Sequence, residues 1–86
     1  MMIGQFVTSK AGHDKGELYV VVAEEGDFVF LCDGRLKTIG NPKRKRHKHI
    51  QPISCTVGEE LVTAIRCDKV TNEQIKYAIK QYRQNK

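Results

Sequence analysis

Ile3-Gly4-Gln5-Phe6-Val7-Thr8-Ser9-Lys10-Ala11-Gly12-His13-Asp14-Lys15-Gly16-Glu17-Leu18-Tyr19-Val20-Val21-Val22 reads as a strand, a glycine-bearing turn and a second strand. Gly12 and Gly16 bracket Asp14-Lys15, and glycine permits both positive φ and a close approach of the loop backbone to a partner. Lys10, His13 and Lys15 then share one small surface, where backbone amides and cations together make a seat for phosphate. A plain hairpin turn is the alternative reading, since glycine-bearing turns are ubiquitous, and Asp14 and Asp33 read as turn residues.

Outward from this unit, period-2 text continues to about Ile53. Five short strands are expected: Phe6 to Thr8, Leu18 to Ala23, Phe28 to Cys32, Leu36 to Ile39 and His49 to Ile53. The second and third are apolar on both alternations, as expected if one face fills an interior and something covers the other. Glu24-Glu25-Gly26-Asp27 reads as a hairpin loop, and Asp33-Gly34 as a two-residue type I′ hairpin. Five short strands paired consecutively suggest a small barrel.

Beyond Ile53 the period becomes 3.6, with Val57, Leu61, Ala64 and Ile65 on one face, then Ile75, Ala78, Ile79 and Tyr82 on another. Two short helices are expected to cover the outer face of the barrel. Thr56-Val57-Gly58-Glu59 and Thr71-Asn72-Glu73-Gln74 both match the capping box. Leu61 to Cys67 also admits a sixth strand, because Val62, Thr63 and Ile65 are β-branched; the helix is the reading kept.

With 86 residues, 40% apolar and 29% charged, the chain has room for one domain and too little material to wall off a deep catalytic pocket as well. It contains no paired-carboxylate site, P-loop or Cys-His nucleophile context, so no enzyme is expected and no cofactor. Its net charge is +5, and Lys43-Arg44-Lys45-Arg46-His47-Lys48-His49 carries five of the fifteen Lys and Arg. The ten carboxylates balance the other ten, so the run holds the whole excess. That isolation points to a phosphate-binding stripe rather than a solvated basic loop or a nuclear-localisation address. His47 and His49 would share a face in an extended segment, but they lack further ligands and have cationic neighbours, so no metal is expected.

Strand, turn and strand pivoting on Gly16 resemble the KOW motif, a short RNA-contacting segment shared by ribosomal proteins and transcription elongation factors. The resemblance continues through Val29-Phe30-Leu31-Cys32-Asp33-Gly34-Arg35 and Asn41-Pro42 with the basic run. These segments are similar to the small bacterial KOW-domain RNA-binding proteins related to large-subunit ribosomal proteins of archaea and eukaryotes. Thr71-Asn72-Glu73-Gln74-Ile75 with Ala78-Ile79 is similar to their closing helix. The resemblance implies a mainly β fold, an SH3-like five-stranded barrel over 1–55 with a helical extension over 56–86 packed on it as a single domain. It also implies RNA binding, with ribosomal RNA and the large ribosomal subunit as partners. The matching turn residues are Ser9, Lys10, Ala11, Gly12, Asp14, Lys15 and Gly16, while His13 stands where arginine is expected and weakens any phosphate contact at neutral pH. Val57 to Val70 matches least.

The expected RNA-binding residues are therefore Lys10, Gly12, His13, Lys15, Gly16, Lys43, Arg44, Lys45, Arg46, His47, Lys48 and His49. A module docking an acidic protein partner in a translation or transcription complex is the second expectation, because such barrels also bind proteins. No small-molecule substrate or membrane is expected, since the longest apolar run is six residues, Leu18 to Ala23. The opening residues match no secretory signal, so a cytoplasmic location is expected. Cys32, Cys55 and Cys67, odd in number and without C-x-x-C spacing, read as reduced thiols.

Overall fold

Alternating apolar residues build five antiparallel strands in the computed structural model, which describes residues 3–85; residues 1, 2 and 86, the outer limits of the two expected segments, lie outside the described residues. The strands are β1 (Gln5–Ser9), β2 (Leu18–Glu25), β3 (Phe28–Cys32), β4 (Lys43–Arg46) and β5 (Ile50–Thr56), followed by helices α1 (Glu59–Arg66) and α2 (Asn72–Gln84). Their order in the sheet is β4-β3-β2-β1-β5, with β5 returning to pair with β1. No ladder joins β4 to β5, so the expected barrel is an open sheet whose two edges are linked by the 3-10 turn His47–His49.

The double apolar alternation of β2 has its explanation in two cores, one on each face of the sheet. Phe6, Leu18, Val20 and Cys32 pack against Val57, from the β5–α1 connection, and Ile65, Ile75 and Ile79, with which the helices cover one face. Val7, Tyr19, Val21, Val29, Leu31 and Ile50 form the other core, within the curl of the sheet itself. Register shifts at Val21/Ala23 and at Gln5/Val7 mark bulges, which bend strands and increase their twist. Phe6 stacks on Tyr82 with ring centroids 4.8 Å apart, tying β1 to the last turns of α2.

The β2–β3 connection is tighter than expected, a two-residue loop in which Gly26 has a φ of 59°. Leu36 to Ile39 forms no strand, and Leu36 is 81% exposed. Asp33 is the cause: its Oδ1 accepts the amides of Arg35 and Lys37, each at 2.9 Å, and diverts the chain into a ten-residue connection over 33–42. Asp33-Gly34 is therefore no hairpin turn, and the fourth strand is the basic run itself.

Residues 61–67 are helical up to Arg66. The Thr56 capping box does not form, because Thr56 is held in the β1–β5 ladder opposite Gln5 and Gly58 becomes the N-cap. Glu59 and Glu60 occupy the first turn instead, where their charge complements the helix dipole. The Thr71 box forms as expected, with Gln74 N donating to Thr71 Oγ1 at 3.2 Å and Thr71 N donating to Gln74 Oε1 at 2.9 Å. Thr71→Ala is expected to cost about 1 kcal/mol in urea unfolding, with an unchanged m-value.

Candidate nucleic-acid interface

Strand alternation divides the basic run. Lys43 and Lys45, opposite Leu31 and Val29, point to the curled face and are half-buried, while Arg44 and Arg46 lie on the other side and are exposed. Lys45 is level with Glu24 through Val29, five residues or about 16 Å along β2 from Tyr19 in a flat sheet. Yet its ammonium donates to Asp14 Oδ1 at 3.0 Å and to the Ala11 carbonyl at 2.7 Å, both on the β1–β2 turn. Only a strongly curled sheet brings these groups together, and the curl places the basic strand against the glycine turn.

Asp14 is the centre of this junction. Its carboxylate accepts from Ser9 Oγ at 2.9 Å and from Tyr19 OH at 3.1 Å, and Lys43 Nζ lies 3.6 Å from its Oδ2. Burial pushes its pKa upward, but hydrogen bonds from Lys45, Ser9 and Tyr19 and the Lys45 charge outweigh that, holding it at about 2. Burial and the Asp14 charge push the Tyr19 phenol well above its usual value, so it stays a neutral donor. The turn is closed by Gly16 N donating to Ser9 O at 2.8 Å, and Gly12 and Gly16 have φ of 88° and 87°. Lys10 N donates to His49 O at 2.8 Å, fastening the turn to the segment that follows β4.

The structure thus brings Lys10, Gly12, His13, Lys15, Gly16, Lys43, Lys45 and His49 to one end of the sheet. Arg44 and Arg46 are turned elsewhere, their guanidinium carbons 4.4 and 4.8 Å from the centroid of the Phe28 ring. Arg46 also lies 4.0 Å from exposed Asp27, a contact of little energetic value. His47 faces Glu24 at 3.9 Å and, with Lys48 and His49, occupies the 3-10 turn, so the two histidines do not share a strand face.

Three members of the junction, Ser9, Asp14 and Tyr19, are absent from the expected site. The available signal was a lone carboxylate among Lys10, His13 and Lys15, five residues before a tyrosine on the core face. Lys43 and Lys45 share that carboxylate, so they are structural cations first. Lys10, Lys15, Arg44 and Lys48 have no carboxylate within 4 Å among the described residues.

The helical side is electrostatically different. An apolar groove of about 890 Å³, lined by Phe6, Val57, Leu61, Tyr77 and Tyr82, has Glu60 and Glu73 as its charged residues, which disfavours a polyanion there. No helix of the described residues is long and apolar enough to cross a membrane. The free thiols are Cys32, buried, and Cys55 and Cys67, exposed; burial and the nearby Asp33 charge push Cys32 up to about 11. No protein-family model matches the chain, and a comparison with curated proteins finds no match.

Proposed function

We propose that this protein is a KOW-type RNA-binding module, an SH3-like barrel left open at one seam, that grips structured ribosomal RNA through its phosphates. It acts by binding rather than catalysis, in the cytoplasm, as a ribosome-associated or ribosomal-protein-like component. The observation that carries the reading is the Asp14 junction, which fixes a glycine turn and a four-cation strand against each other. It uses one carboxylate to organise two lysines, and it leaves Lys10, Lys15, Arg44, Arg46 and Lys48 exposed for an anionic ligand. Ordered amides beside Lys10 and Lys15 at one end of the sheet, with Arg44, Arg46 and Lys48 exposed on the adjoining strand and turn, suit phosphate contacts, which position a ligand without reading its sequence.

Five phosphate contacts give an expected slope of log K against log salt of about −3.5 on single-stranded RNA. Arg44→Gln combined with Arg46→Gln is expected to flatten it by about 1.4, and an unchanged slope would remove the strand from the interface. In cells, sedimentation of native lysate should carry the protein with the large ribosomal subunit, and ribonuclease should release it. A complex indifferent to ribonuclease would instead identify an acidic protein as the ligand.

A further inference from the structure

The four cations nearest the cleft between α2 and the Asp33 loop do not belong to the basic run. Arg35 comes from the loop, and Lys76, Lys80 and Arg83 recur at i, i+4 and i+7 along α2. They line a cleft of about 320 Å³ against two carboxylates, Glu17 and Asp33. Lys76 is offset by Glu73 at 3.0 Å, whereas Arg35, Lys80 and Arg83 have no carboxylate within 4 Å among the described residues.

Packing on one helix face does not explain this arrangement, since like charges three and four residues apart destabilise a helix. Attraction to the carboxy-terminal end of the α2 dipole accounts for Arg83, in the last turn, but leaves Lys80 and Arg35 unexplained. The backbone of Arg35 is held opposite them by the Asp33 carboxylate, which accepts its amide, and by Gly34, which lies so close to α2 that a Cβ there would run into Asn72 O and the Lys76 side chain. The cleft is therefore preorganised, and through Glu17 and Leu18 it adjoins the Lys15-Gly16 end of the β1–β2 turn.

We propose that this cleft is a second phosphate-binding site, which receives the backbone of the same RNA strand as it leaves the glycine turn. Lys76 to Arg83 spans about 10.5 Å of helix, over which one nucleic-acid strand presents about three phosphates. The inference rests on the RNA-binding reading above and extends the footprint from one end of the sheet onto α2. Three added contacts steepen the expected salt slope from about −3.5 to about −5.6.

The test measures binding of purified large-subunit ribosomal RNA between 50 and 200 mM salt for the wild type, for Lys80→Gln/Arg83→Gln and for Lys69→Gln, a charge control on the α1–α2 connection. The double variant is expected to flatten the slope by about 1.4 with the melting temperature lowered by no more than a few degrees, the share of the Arg83 charge at the helix end, and Lys69→Gln to leave the slope as it was. RNA binding by the wild type with an equal slope in the double variant, or an equal loss per charge in the control, overturns the second site alone. If the wild type binds no RNA, the functional reading falls and the cleft assignment falls with it.

Discussion

Asp14→Ala is expected to lower the unfolding free energy by about 3 kcal/mol at pH 7, and the melting temperature by roughly 12 to 24 °C. The substitution removes one side chain that serves four groups: the Tyr19 hydroxyl and the Lys43 ammonium lose it outright, while the Ser9 hydroxyl and the Lys45 ammonium keep only the Ala11 carbonyl. Lys45 is decisive, because its side chain is only 11% exposed and removing one partner of a buried pair leaves an uncompensated charge. The effect carries a pH signature. Folding lowers the Asp14 pKa from 3.8 to about 2, so the proton binds more tightly to the unfolded chain. The stabilisation is complete above pH 4 and is lost as pH falls through about 2. This linkage is worth about 2 kcal/mol, so the gap between wild type and variant should narrow from about 3 to about 1 kcal/mol between pH 5 and pH 2. Urea unfolding at several pH values measures it, and a gap independent of pH would mean that Asp14 acts through turn geometry rather than charge.

Gly34→Ala is expected to be comparably damaging, at about 3 kcal/mol, for an unrelated reason. Gly34 has a φ of 79°, where an L-residue pays about 1 to 2 kcal/mol. A Cβ there would also run into Asn72 O, and would lie 2.7 Å from Lys76 Cγ and 3.0 Å from Lys76 N. Two of these atoms are helix backbone, so relief requires α2 to move away from the loop, which adds about 1 to 3 kcal/mol. The displacement would break the bond from Ile39 N to Asn72 Oδ1, now 2.8 Å. Gly26→Ala is the control: Gly26 also has positive φ, at 59°, but nothing lies within 4 Å of its Cβ position. It should pay the conformational cost alone, and equal losses at the two sites by thermal melting would show that the helix yields freely.

The parts of the fold legible in the sequence are those decided locally. Thr71 and Gln74 cap α2 through atoms three residues apart, and the apolar text of Phe28–Cys32 gives β3 its bounds. β4 was hidden because its period-2 pattern is written entirely in cations. Lys43 and Lys45 become inward residues only because a carboxylate 31 residues from Lys45 receives them. Leu36 to Ile39 offered better strand text, but the Asp33 carboxylate captured the local amides first. Thr56 could serve either a cap or a ladder, and pairing with Gln5, 51 residues earlier, decided the outcome. Within the candidate site, the cations were legible individually, whereas the residue that arranges them looked like any turn aspartate.

The open sheet leaves β4 and β5 as unpaired edges, each able to template another strand. β5 carries Pro52, which removes one donor from that edge. β4 presents four consecutive cations, so a second copy laid alongside would set like charge against like charge. The pattern that attracts a polyanion is thus also a guard against fibrous self-association, and neutralising it for a binding experiment would remove both properties together.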